Sequence, residues 1–453
     1  MLPIFLLAQV LPAAPTAKPP EVKPQEIVEV QEVRPLPGKL DNIPVFNSNS
    51  PELVLQEGIL LSTFPGKDKA NPAAHLNYPL TGYFDVFAHH VAKAQPADNL
   101  RTLYLGILVK NPGKRPVTIK VLQGASYLSQ PDAPFIELAT QLDNAAGNIY
   151  AGPGSRVMSE VLRGGRQSIF PAQITIPAGG SKLLMNLPIP VASLTPPING
   201  RSSYLRLFSS GQVQMASMAL FAPQDAAGQE RAPNMTEWQQ VLDQGNLSTP
   251  RDRTPTPPDS DKGRIYGRVA GVSIGSRWQA KLVDKGSKFL QVPAQGKAIS
   301  WGLATLPGGT FGTNQVQSAP MAARYPDTAY QAHGNYGVQY SLQLPLSNPT
   351  KQPKTVTLAL QTPLKQDQLD GGGLRFLQPL PKPVFFRGTV RVKYQTKQGT
   401  TQTKFYHLVQ KRGQQGSPLT TLTLPPLGKN LVQVDLLYPP DATPPQVLTL
   451  RGI

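Results

Sequence analysis

Four short patterns occur twice in this chain, in the same order. Thr63-Phe64-Pro65-Gly66 returns as Thr305-Leu306-Pro307-Gly308, and Tyr78-Pro79-Leu80-Thr81-Gly82-Tyr83 as Tyr325-Pro326-Asp327-Thr328-Ala329-Tyr330. Asn111-Pro112-Gly113-Lys114-Arg115-Pro116 returns as Asn348-Pro349-Thr350-Lys351-Gln352-Pro353. Ile174-Thr175-Ile176-Pro177, leading to Gly180 and Lys182, returns as Leu422-Thr423-Leu424-Pro425, leading to Gly428 and Lys429. The offsets are 242, 247, 237 and 248 residues. Patterns kept in register over such a distance point to tandem duplication of one unit, and any fold must accommodate it.

The third pair indicates what the unit is. A buried strand runs into Asn-Pro-x-Lys-x-Pro, and a second strand starts after it. Pro after Asn sets a turn, and the second Pro sits at a strand entrance, where its missing N–H does no harm. Runs of strand character recur at 104–109, 117–122, 338–344, 355–360, 389–394 and 431–437. With 49 Pro and 39 Gly in 453 residues, helices are broken often and turns are frequent. The expectation is an all-β protein: two tandem β-sandwiches, immunoglobulin-like or jelly-roll, with one short helix before the linker. That helix is announced by the capping box Asn234-Met235-Thr236-Glu237, followed by Trp238, Val241 and Leu242 at helical spacing.

The expected boundaries follow. Residues 1–17 hold an apolar run of secretory length, Leu2 to Leu11, and then Ala13, Ala14 and Ala17, although no Lys or Arg precedes the run. Residues 18–45 are an extended Pro-rich lead-in, 46–246 the first sandwich, 247–262 a linker with almost nothing to bury, and 263–453 the second sandwich. No later segment has eighteen consecutive apolar residues, so no transmembrane helix is expected. There is no cysteine, which excludes disulfides, a thiolate zinc site, a thiol nucleophile and an N-terminal lipidated cysteine.

Charge separates the halves. Lys and Arg against Asp and Glu number 19 to 18 over residues 1–250, and 25 to 9 over 251–453, where there is no Glu. Nearly all of the +17 excess therefore lies in the second half. A shared scaffold does not require it, so the excess marks a seat for something anionic or a solvated face kept soluble. Alternation in 386–397 would line Arg387, Arg391, Lys393 and Lys397 along one outer sheet face. Arg264 and Arg268 flank Tyr266 in the same manner. A second candidate is 324–336. Its Tyr325 frame is shared with the first half and reads as a structural corner. Arg324 and Asp327 are not shared, and with Tyr330, His333 and Tyr336 they would hold a sugar by stacking and hydrogen bonds, or else form an ion pair pinning a loop.

His75, Asp85, His89 and His90 invite a metal or general-base reading, but adjacent His89 and His90 point to opposite faces of a strand. No nucleophile elbow, phosphate loop or His-Glu-x-x-His is present. No catalytic residue, metal ligand or cofactor is therefore assigned.

Several longer segments carry a resemblance. Arg34-Pro35-Leu36-Pro37-Gly38, Pro44-Val45-Phe46-Asn47-Ser48-Asn49-Ser50-Pro51-Glu52, Phe84-Asp85-Val86-Phe87-Ala88-His89-His90, residues 266–272 and residues 324–337 resemble the signature segments of an uncharacterised family of exported cyanobacterial proteins. The resemblance covers most of the chain from about residue 30. It implies an envelope or secreted location and no assigned activity. The functional expectation is a non-enzymatic exported envelope or matrix protein that binds an anionic polysaccharide or other envelope polyanion through its basic half. Nucleic acid is not expected as a partner, because the chain is read as exported. A polysaccharide-active hydrolase or lyase using Asp327, Arg324, Tyr330 and His333 is one alternative. A structural module of a surface layer or secretion assembly is the other.

Overall fold

A computed structural model describes residues 23–260, 263–396 and 398–453. The secretory-like segment 1–17 lies outside the described residues, as does Lys397. The protein is all-β, with two short α-helices among the described residues. Its strands fall into sheets of twelve, seven, five and two members.

One strand organises the first half. Ile198–Phe221 runs for 24 residues and shifts register between Ser209 and Val213. Before the shift it pairs with Leu80–Lys93 and Val117–Leu128; after it, with Gly58–Ser62 and Leu103–Lys110. The bulge lets a single strand serve two layers. Alternate residues of both layers meet in one core, including Phe84, Val86, Leu105, Ile107, Ile119, Val121, Leu205 and Met215.

The second half has its own core, between a seven-stranded and a five-stranded sheet. Leu342 and Leu344 of Gln339–Ser347, Val390 and Val392 of Val384–Gln395, and Val432 and Val434 of Lys429–Leu437 come from the first sheet. Trp301 of Ala298–Leu303, Val356 and Leu358 of Lys354–Gln361, and Leu448 and Leu450 of Gln446–Gly452 come from the second.

The repeated hairpins are built alike. Leu103–Lys110 pairs with Ser181–Ile189, and Val117–Leu128 with Gln173–Ile176; Gln339–Ser347 pairs with Lys429–Leu437, and Lys354–Gln361 with Thr420–Leu424. Asn111 Nδ2 donates to the carbonyls of Arg115, Ile176 and Pro177. Asn348 Nδ2 donates to those of Gln352, Leu424 and Pro425. Each Asn Oδ1 also accepts the backbone N–H two residues on, from Gly113 and Thr350. A buried Asn thus closes the loop in both copies and satisfies carbonyls that would otherwise be orphaned.

The halves also exchange strands. Gln25–Val30 pairs with Gly373–Gln378, and Glu32–Arg34 runs parallel to Ala298–Leu303. These two described strands of the Pro-rich stretch are thus taken up by sheets of the second half, and Leu36 lies in that half's core. Gln141–Asp143 adds to Thr401–Lys411, and Ala270–Ile274 inserts beside Pro44–Ser48. The segment read as a linker is bonded throughout its first part: Ser248 Oγ donates to Gln56 O, and Asp252 accepts from Ser50 Oγ and Glu52 N.

Helix α1 (Pro153–Leu162) was not expected; helix α2 (Met235–Gln244) was. The capping box of α2 is formed in both directions, with Asn234 Oδ1 accepting from Glu237 N at 3.0 Å and Glu237 Oε2 from Asn234 N at 2.8 Å. Helix α1 has Pro153 in its first turn, and its Ser155 N–H is accepted by Asp441 at 2.6 Å. Its apolar face, Val157, Met158, Val161 and Leu162, packs with Phe87 and Tyr204 of the first half and Leu437 of the second.

Candidate functional site: a groove between the halves

The exchanged strands leave a groove along the junction, made of three hollows that share lining residues. The first, about 280 Å³, is bordered by Arg264, Tyr266, Tyr330 and His333. The central one, also about 280 Å³, shares Tyr266 and His333 and adds Arg268, Tyr336, Lys365, Asn47, Asn49 and Asn335. The third, about 620 Å³, shares Arg268 and Tyr336 and adds Glu52, His89, Phe135, Arg387 and Asp441.

Six of the eleven residues proposed from sequence line this groove: Arg264, Arg268, Tyr330, His333, Tyr336 and Arg387. Of the other five, Lys397 lies outside the described residues and four are placed elsewhere. Arg391 pairs with the buried carboxylate of Asp435 at 3.0 Å, in a separate hollow. Lys393 is half-buried on the same strand, and lines none of the three hollows. The expected open cationic face of Arg387, Arg391 and Lys393 does not form, because helix α1 from the first half packs over this strand. Thr389 and His407, cross-strand neighbours on that face, are buried.

Arg324 and Asp327 do not pair with one another. Arg324 lies 3.9 Å above the Tyr330 ring and donates to the carbonyls of Tyr325, Pro326 and Thr328. Asp327 is instead bound by Arg251 at 2.7 Å, which ties the 250s segment to this loop.

Tyr266, at the seam of the first two hollows, is held on three sides. Its hydroxyl donates to Pro307 O at 2.5 Å and accepts from Lys365 Nζ at 2.7 Å, and the His333 ring stands edge-on at 4.9 Å. Burial, with Arg264 and Lys365 nearby, depresses His333 to about 4, so it is neutral at pH 7. In the third hollow Arg387 lies 5.3 Å from the Phe135 ring, which is 55% exposed and forms an apolar flange at the mouth.

The two carboxyls of the third hollow are tuned apart. Burial acts to raise Glu52, but the hydrogen bond from His89 and the charge of Arg268 outweigh it and hold the carboxyl below its ordinary range. Burial raises Asp441 to about 6, against the opposing N–H of Ser155. Local sequence carries no sign of either, since Glu52, His89 and Asp441 meet only through the exchange of strands.

The histidine–carboxylate set of the first half is dispersed. His90 is buried against Ser48 Oγ and Pro51 O, and His75 against Ser62 Oγ. Asp85 accepts from Tyr204 and faces Arg206 and Arg277. His89 contacts Ser202 Oγ at 2.8 Å on one side and Glu52 on the other, an order suggestive of a nucleophile triad. Ser202 is only 1% exposed, so no substrate carbonyl can reach it. Among the described residues no group of three or more His, Cys, Asp or Glu could hold a metal ion, and no helix is long and apolar enough to cross a membrane.

Comparison with known proteins adds a family and little else. A family model described as "Protein of unknown function (DUF3370)" matches residues 31–452. No curated protein matches the chain. Among solved structures, the coconut allergen cocosin is 8% identical over 88% of this chain and 86% of its own, with a TM-score of 0.10. The 11S globulin from Wrightia tinctoria is 10% identical over 93% and 84%, with a TM-score of 0.09. Superposition at that level carries no argument.

Proposed function

The chain belongs to this family of unknown function, and we propose that it is a non-enzymatic, exported envelope or matrix protein whose groove binds an anionic glycan. The observation behind this reading is the set of cations in the groove. Arg264, Lys365 and Arg387 line it without a salt bridge among the described residues, interleaved with Tyr266, Tyr330 and Tyr336. Exposed cations attract a polyanion, while ring faces stack on sugars; a simple solubilising surface needs no such interleaving. Export accords with the apolar run at 2–11.

The test is retention of the full chain on heparin-type and polyuronate matrices. Arg264→Glu, Lys365→Glu and Arg387→Glu together should move elution to clearly lower salt, while Lys393→Glu should barely shift it. Equal shifts for both would show only non-specific charge attraction.

A hydrolase reading draws on one observation, the pair of carboxyls with separated protonation along the third hollow. In that reading Asp441 is the acid and Glu52 the base. New reducing ends from a bound polysaccharide, abolished in Asp441→Asn, would establish it. A role in a surface layer would instead use Gln25–Val30, which among the described residues pairs on one side only and exposes Ile27, Val28 and Val30.

A further inference from the structure

One end of the first half presents apolar side chains to solvent, and glycan binding makes no use of them. The pairing of Lys93 with Ile198, of Leu128 with Arg201 and of Leu103 with Ile189 brings three loops to this end: 94–102, 129–140 and 190–197. Asn199 pegs two of them together. Its buried side chain accepts from Ser129 Oγ and Gln130 N and donates to the carbonyls of Gln130 and Pro190, all at 2.8–3.0 Å. Ala94 N, at the start of the remaining loop, donates to Pro197 O at 3.0 Å. The second half adds a fourth loop, 379–383, which leads into Val384 beside Phe135 and Ile198 on the wall of the third hollow.

Five of the fifteen exposed large apolar side chains among the described residues stand on these loops or at their edge. They are Leu100 at 41%, Phe135 at 55%, Ile136 at 48%, Ile198 at 39% and Leu380 at 38%. A single exposed leucine is ordinary, but a cluster at one end of a molecule marks a contact. The Phe135 ring is set in place by packing, since a Cβ on Gly152 would collide with it. Charge is balanced over the same loops: Lys93, Arg101 and Lys382 stand against Asp98, Asp132 and Glu137. Attraction between charges therefore does not supply the contact. A folded partner needs a continuous complementary face. Here the apolar groups sit on separate loops, with the open third hollow between Phe135 and Ile198. The interface of a bilayer accepts separate apolar tips, each to its own depth.

We propose that this end of the molecule rests on a phospholipid surface, with Leu100, Phe135, Ile136, Ile198 and Leu380 inserted at the boundary between headgroups and acyl chains. The contact is independent of the glycan reading. Raised salt should leave it nearly unchanged, whereas polyanion binding falls as salt screens charge.

The experiment places a reporter on one loop, Ile136→Trp, in the full chain. The native Trp238, Trp278 and Trp301 are all buried and give a constant background. With phosphatidylcholine vesicles carrying brominated acyl chains, Ile136→Trp should lose fluorescence. Tyr83→Trp, exposed toward the opposite end of Leu80–Lys93, should not. Leu100→Ser with Ile136→Ser alters two side chains that line none of the three hollows. It should weaken vesicle binding roughly ten- to a hundredfold and leave elution from heparin unchanged. Quenching of both reporters would mean general adsorption, and quenching of neither would mean no insertion; either result overturns the proposal. Vesicle binding that the double variant leaves intact would overturn it too, by assigning the contact to another part of the chain such as the apolar run at 2–11. None of these failures touches the glycan reading, which stands or falls on the matrix elution.

Discussion

Tyr325 closes the core of the half of the chain to which it does not belong: its hydroxyl donates to the Ala74 carbonyl at 2.7 Å. The same oxygen accepts the Ser62 N–H at 3.0 Å, and the ring lies among first-half apolar residues. Burial pushes the phenol pKa up. Tyr325→Phe keeps the packing and strands both backbone groups. It should lower unfolding free energy by about 1–3 kcal/mol, read by urea denaturation with an unchanged m-value.

Asp441 gives the groove a dependence on pH. Its folded-state value of about 6 exceeds its ordinary 3.8, so the folded chain holds this proton more tightly than the unfolded one. Its contribution to stability therefore declines as pH rises through that window. Glu52, shifted the other way, loses its contribution as pH falls through its lowered value. For binding, protonating Asp441 removes one negative charge beside Arg387. The salt needed to elute the chain from a polyuronate matrix should increase from pH 7 to pH 5, and Asp441→Asn should flatten that increase. An unchanged slope in the variant would assign the effect to other groups.

Asn111 and Asn348 make the same bonds in the two hairpins. Alanine at either position withdraws the donor from three carbonyls. Each change should cost about 1–3 kcal/mol, by similar amounts, and the double variant should show their sum in urea titrations.

Asp327→Ala should release the segment that Arg251 anchors. Trypsin cleavage after Arg251 and Arg253 should accelerate several-fold, while global stability falls by no more than about 1 kcal/mol, as for other partly exposed ion pairs. Unchanged cleavage kinetics would show that Asp252, held by Ser50 and Glu52, suffices to anchor the segment.

Features written in local chemistry were legible in the sequence. The Asn234–Glu237 box needs only four consecutive residues, and the Asn-Pro loops repeat a short code, so both appear where the residues place them. Helix α1 was missed because Gly152, at its start, offers no side-chain cap; the capping carboxylate is Asp441, nearly three hundred residues away. The cationic face on 386–397 was mislocated for a related reason. Alternation correctly sorts the strand's two faces, but it carries no information about which face a distant helix covers. Arg264, Arg268, Tyr330, His333 and Tyr336 were identified because they are chemically conspicuous in a basic half. Asn47, Asn49 and Asn335, which line the central hollow, were not, since an asparagine has neither charge nor motif to mark it.

The exchange of strands also dictates an order of events. Glu32–Arg34 lies against Ile299–Trp301, and the other edge of that strand takes Leu448–Leu450. The earliest of these strands must wait for more than four hundred residues to emerge before its sheet is complete, and loops of that length close slowly. That sheet can therefore be completed by neither half alone, and its assembly is the step at which the two halves become one folded unit.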